Sequence, residues 1–206
     1  MRDRYELLNF FNPSETVGCL SGGNLPHWRQ DGVVYFVTFR TADSMPAERV
    51  AQWTRERDAW LASHPEPRDA ATRAEYARLF PQRWHQWLDE GHGACRLRDP
   101  GVLRVVEACL THDDGQSYRL EEHIIMPNHV HALVVPNGDK VLSDIVQAWK
   151  SVSAHRINKI LQRRGTFWQK ESFDHIVRNA DQMERIRQYI RDNPTRKKVD
   201  AAPSPR

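Results

Sequence analysis

The chain has 206 residues, enough for one ordinary domain with a sizeable insertion and too few for two large domains. Hydrophobic residues make up 39% and charged residues 28%, which excludes a disordered chain, and no apolar run approaches the roughly 20 residues of a membrane helix. The net charge is only +3, but residues 141–198 hold 13 Lys or Arg against 6 Asp or Glu, so the basic excess lies in the last third and suits a polyanionic partner.

Residues 1–31 mix Pro13, Gly18, Gly22, Gly23 and Pro26 with scattered aromatics and are expected to form an irregular arm. A charged N-terminus and the absence of an apolar run point to a cytoplasmic protein. Cys19, Cys95 and Cys109 are odd in number and widely spaced, so they are read as reduced thiols and not as a disulfide framework or a zinc site.

Residues 32–40 are rich in β-branched and aromatic side chains and predict a central strand. Pro46 then opens a helical pattern through Val50, Trp53 and Trp60, which breaks at Pro65-Glu66-Pro67 and resumes over residues 69–88. Leu103, Val106 and Leu110 continue the helical spacing, so residues 46–111 are expected to be a helical insertion after the first strand. Its chemistry is not legible from the residues.

Strands are predicted over residues 118–125 and 129–135, joined at Met126-Pro127-Asn128. A long amphipathic helix over residues 142–161 has Leu142, Ile145, Val146, Trp149, Val152, Ile157 and Ile160 at helical intervals. Gly165 ends it, residues 173–178 read as a short strand, and Asn179 with Gln182 caps a last helix to about residue 192, before Pro194. This order predicts an α+β fold, a ferredoxin-like antiparallel sheet with helices on one face. The expected domain is residues 32–199, followed by a tail over residues 200–206.

His129 and His131 sit at i and i+2 of a strand, so both imidazoles project from one face and are able to chelate one ion. The spacing alone fits hydrogen-bonded histidines equally well. Tyr189 and Asn193 are four residues apart, one helical turn, so a hydroxyl and an amide oxygen share a face; packing and helix-end roles fit that pair too.

Three ordered segments, Ile125-Met-Pro-Asn-His-Val-His131, Phe167-Trp-Gln-Lys-Glu-Ser-Phe-Asp-His175 and Tyr189-Ile-Arg-Asp-Asn-Pro194, resemble the REP-associated tyrosine transposases. These belong to the single-tyrosine HUH superfamily, named for histidine, hydrophobic residue, histidine. The resemblance runs from about residue 32 to residue 199. It implies that His129, His131 and Asn193 ligate a divalent ion, Mg²⁺ or Mn²⁺, and that Tyr189 attacks phosphorus to leave a 5′-phosphotyrosine link. Related transposases have glutamine at the asparagine position, and His175 fits a motif position without an assigned role. The implied partner is single-stranded or hairpin DNA from repetitive extragenic palindromes, bound by a monomer or homodimer.

Lys150, Arg156, Lys159, Arg163, Arg164 and Lys170 cluster around the long helix and the loop after it and are candidate backbone contacts, with a solvated helix face as the plain alternative. Trp168 is a candidate base-stacking residue, although core packing is the weightier reading. Two other functions fit the same residues. One is a sequence-specific DNA-binding protein that no longer cuts. The other is a hydrolase in which His129, His131 and His175 hold an ion that activates water.

Overall fold

In the computed structural model, which describes residues 8–20 and 27–192, the chain enters through a short antiparallel pair, β1 (Gly18–Leu20) and β2 (His27–Arg29). The described part of the arm, residues 8–20 and 27–31, is therefore more ordered than its proline and glycine content implied. The buried Gln30 amide explains part of this: its Nε2 donates to the Asn12 carbonyl and its Oε1 accepts from the Asn12 N–H. Phe11 N–H also reaches the Val177 carbonyl, so the arm lies along the sheet.

The first sheet strand, β3 (Tyr35–Arg40), starts three residues later than the composition suggested. Gly32 accounts for part of the delay, since its φ of 67° is left-handed and turns the chain before pairing begins. The insertion follows as α1 (Ala47–Ser63), α2 (Ala70–Ala77) and α3 (Arg83–Asp89), with a π-helical segment over Arg78–Gln82 where one continuous helix was expected. Pro81 has no N–H to donate, so the regular helical ladder cannot run through it. Asp69 caps α2 by accepting from Thr72 N–H at 2.7 Å. Trp53, Trp60, Tyr76, Phe80 and Trp84 touch ring to ring, giving the insertion an apolar centre of its own.

Gly93 closes the return from the insertion. Its φ is 86°, and a Cβ there would run into the backbone carbonyl of Asp43, which cannot swing aside as a side-chain tip would. Gly93→Ala is therefore expected to destabilise the protein by at least about 2 kcal/mol, which for a chain of this size is on the order of 2–4 °C in Tm per kcal/mol. A melting curve superimposable on the wild type would contradict this tight approach.

Next come α4 (Pro100–Thr111), β4 (Tyr118–Ile125), β5 (His129–Pro136), α5 (Leu142–Ile160), β6 (Phe173–Ile176) and α6 (Ala180–Asp192). The four longer-range strands form one antiparallel sheet in the order β4-β5-β3-β6. With α4 and α5 as the crossovers this is the expected ferredoxin-like arrangement. One boundary moves: α4 was counted with the insertion, but its Val102, Val106 and Leu110 are buried in the sheet's core, so the added segment ends before Pro100.

The helices also reach both faces of the sheet, where one face was expected. Val37, Phe39, Val130, Ala132 and Val134 join α4 and α5 in one core. Phe36, Leu133 and Val135 join Met183 and Ile190 of α6 in a second. The extra coverage has a simple cause. Met183, Arg187 and Ile190 form the buried stripe of α6 at helical spacing, and Arg187 donates to Glu121 of β4 at 2.5 Å. Truncating a buried Met or Ile costs about 2–5 kcal/mol, and the Arg187–Glu121 pair is itself largely buried, so the stripe and the pair together fix α6 in place.

Candidate active site

Alternation along β5 turns Val130 and Ala132 into the α4/α5 core and His129 and His131 to the face that α6 crosses. Both imidazoles are fully buried. Thr38 stands opposite His131 across the β3–β5 pair, and its Oγ1 lies 2.7 Å from His131 Nδ1. Asn128 Nδ2 donates to the His92 carbonyl at 2.9 Å, which turns Oδ1 toward His129 Nδ1, 2.7 Å away. His129 therefore carries its proton on Nδ1 and leaves Nε2 as a lone-pair donor. Burial holds the His129 pKa below the usual imidazole value, partly opposed by Asp89, so the ring is neutral at physiological pH.

The two Nε2 atoms are 3.0 Å apart. That is on the order of the separation of two nitrogens held at right angles about 2.1 Å from one ion. Asp89, the last residue of α3, brings a carboxylate to the same point, with Oδ1 3.5 Å from His129 Nε2. One donor atom from each of Asp89, His129 and His131 lies within 4.8 Å of the others. A buried imidazole pair facing a carboxylate is an electron-rich pocket that suits a divalent cation.

Tyr189 projects from α6 into this cluster. Its hydroxyl lies 3.1 and 3.3 Å from the two Asp89 oxygens and 3.2 Å from His131 Nε2. Burial and the neighbouring Asp89 carboxylate raise its pKa above the ordinary phenol value, so at neutral pH the hydroxyl is protonated and donates. Arg40 stands opposite His129 in the β3–β5 pair, its guanidinium 4.4 Å from the centre of the Trp84 ring of α3. Burial lowers its pKa to about 10, which leaves it charged.

The structure thus brings His129, His131 and Tyr189 together and adds Asp89, which the sequence reading missed. Asn193 lies outside the described residues. His175 does not join the cluster: β3 runs between β5 and β6, and Phe36 meets His131 on one flank and His175 on the other, at ring separations of 5.3 and 5.5 Å. It lines a separate cavity of about 580 Å³ with Trp28, Arg178 and Gln182. A three-histidine ion site is therefore not formed.

The candidate DNA contacts divide. Arg156, Lys159, Arg164 and Lys170 are exposed, and Arg163 is half-buried with Nη2 on the Thr166 carbonyl. They lie on or after α5, which covers the sheet face opposite the histidines. Lys150 is a correction. It is buried, and its Nζ donates to the Lys170 carbonyl at 2.7 Å and to Ser172 Oγ at 3.2 Å, so it braces the chain before β6. Trp168 is core, with Nε1 on Ser153 Oγ.

Burial lowers the Lys150 pKa from 10.5 to about 8. Between those two values the unfolded chain holds more protons than the folded one, so stability rises with pH across that window. Wild-type protein should gain stability relative to Lys150→Met between about pH 7 and pH 10 in denaturant titrations. A pH-independent difference would show that the buried amine does not titrate in this range.

Residues 102–193, somewhat under half of the chain, match the family model described as "Transposase IS200 like". Over those residues the chain is similar to the IS200-like transposases. Its structure is similar to that of a REP-associated tyrosine transposase bound to a REP hairpin, at 13% identity and a TM-score of 0.47, covering 86% of this chain and 74% of the other. It is similar also to a crystal structure described as a transposase of Deinococcus radiodurans, at 17% identity and a TM-score of 0.38, covering 84% and 97%. No curated protein matches the chain. No described helix is long and apolar enough to cross a membrane.

Proposed function

We propose that this protein is a transposase that cuts and rejoins single-stranded DNA beside a hairpin-forming repeat through a 5′-phosphotyrosine at Tyr189, with a divalent ion, Mg²⁺ or Mn²⁺, held by His129 and His131. One observation carries the reading: the Tyr189 hydroxyl lies 3.2 Å from His131 Nε2, inside the electron-rich cluster. The ion would withdraw charge from a non-bridging phosphate oxygen and orient the phosphodiester. Asn193, four residues after Tyr189 in the sequence, is retained as a proposed oxygen ligand.

Tyr189 Oη attacks phosphorus, the P–O3′ bond breaks, and the departing 3′ oxygen takes up a proton while the phenol proton passes to the Asp89 carboxylate or to water. The resulting link remains a phosphodiester, so a free 3′ hydroxyl attacks it, returns the oxygen to Tyr189 and needs no ATP. Arg40, charged and opposite His129, adds a cation near the phosphate. Arg156, Lys159, Arg163, Arg164 and Lys170 are proposed to carry more distant backbone charge, with the hairpin reaching around the sheet. Hairpin DNA of the repetitive extragenic type is the proposed substrate. Incubation with a 3′-labelled single strand and a divalent ion, then denaturing electrophoresis and peptide mapping, tests the reading. A labelled adduct on Tyr189 supports it, and a cleaved strand with no protein-linked label rejects it.

A further inference from the structure

We propose that Asp89 is an oxygen ligand of the ion at His129 and His131, which makes the helical insertion a working part of the centre. The inference rests on the ion-site reading above and extends it to a segment outside the family match, residues 102–193.

Proximity is the first argument. Asp89 Oδ1 is 3.5 Å from His129 Nε2, and a carboxylate is the hard oxygen donor that Mg²⁺ or Mn²⁺ favours beside imidazole. The carboxylate also has capacity to spare. Two oxygens offer about four lone-pair positions, so one oxygen can ligate while the other keeps the Tyr189 hydroxyl. Nucleophile and ion would then be set by one side chain. The charge balance is also suitable, since an imidazole ligates through an uncharged lone pair and one carboxylate leaves a divalent ion with a net positive charge toward a phosphodiester.

The second argument is that Asp89 is held where it lies. The α3 helix is tied to the sheet by Trp84 under the Arg40 guanidinium. Beyond Asp89, Glu90 pairs with Arg49 of α1 at 2.7 Å, and the His92 carbonyl accepts from the same Asn128 that fixes His129. Gly93 packs on the Asp43 backbone, Ala94 N–H donates to Asp43 Oδ2 at 3.0 Å, and Leu97 N–H donates to the Pro127 carbonyl at 3.1 Å. A side chain meant only for solvent needs none of this bracing. An acid at the end of a helix is ordinary; an acid sewn against two buried imidazoles is a ligand.

The test is Mn²⁺ binding by calorimetry to the full-length protein without DNA. Asp89→Ala should weaken Mn²⁺ by about 10- to 100-fold, while Tyr189→Phe leaves it near wild type. Asp89→Cys separates ligation from simple positioning: a thiolate ligand should reverse the preference toward Cd²⁺ and add a sulfur-to-cadmium charge-transfer band absent from the wild type. Wild-type Mn²⁺ affinity in Asp89→Ala, with affinity lost in His131→Ala, overturns the Asp89 assignment and spares the histidine site. Unchanged affinity in both variants overturns the two together. If Asp89→Ala fails to fold by circular dichroism, the cadmium band in Asp89→Cys decides: its presence supports ligation and its absence rejects it.

Discussion

Tyr189→Phe is expected to abolish the covalent DNA adduct and to lower strand cleavage by roughly 10⁴-fold or more, because it deletes the attacking oxygen and little else. The ring that packs against His131, at a centroid distance of 5.4 Å, is retained. So are the buried Met183 and Ile190 that seat α6, and hairpin binding should therefore stay near wild type. The paired measurement is decisive: adduct formation lost with binding intact is a chemical defect, whereas joint loss is a structural one. An adduct that persists in Tyr189→Phe, or that maps to Tyr35, Tyr76 or Tyr118, would remove Tyr189 from the mechanism.

The second large effect is expected in the histidine pair. His129→Ala and His131→Ala should each weaken Mn²⁺ by at least about 100-fold and eliminate ion-dependent cleavage, since each removes a direct donor whose partner Nε2 is 3.0 Å away. Both rings are fully buried, so each variant also leaves a cavity and releases a polar partner, Asn128 for His129 and Thr38 for His131. Melting temperatures taken without metal measure that structural cost separately. DNA binding should survive in folded protein, because the basic side chains lie elsewhere. Cleavage that resists chelation and both substitutions would rule out ion-assisted attack.

Much of this arrangement was legible in the residues because it depends on local periodicity. The 129–135 stretch follows the Met126-Pro127-Asn128 connection, and period-two alternation puts both imidazoles on one face whatever the fold around them. The α5 helix was equally open, starting at Leu142 as predicted and ending at Ile160, one residue early. Lys150 went wrong for a reason the same periodicity contains: it lies four residues after Val146 and three before Ser153, both buried, so its backbone position belongs to the inward stripe. Its charge outweighed its phase in the reading.

Asp89 was hidden for a different reason. In Trp87-Leu88-Asp89-Glu90-Gly91 an acid at a helix end before a glycine looks solvated. Its role depends on where the insertion returns, a tertiary outcome set by contacts as remote as Asn128 with His92. The signal that was present is the pair Gly91 and Gly93, whose φ angles of 74° and 86° mark a sharp reversal beside the core. His175 shows the converse. Its motif position suggested the site, but the strand order places it across β3, behind Phe36.

Having an apolar core on each side of the sheet also limits how β5 can change length. The strand works by parity: odd positions face α6, where His129 and His131 serve the site and Leu133 and Val135 serve packing, while Val130, Ala132 and Val134 enter the α4/α5 core. Gain or loss of one residue within the strand would exchange the two sets, driving both imidazoles into the α4/α5 core and turning valines toward Tyr189. A change of two would preserve the parity. The strand tolerates only even steps, like a key whose teeth fit on one side, and the connection before it is held in place by Asn128 against His129.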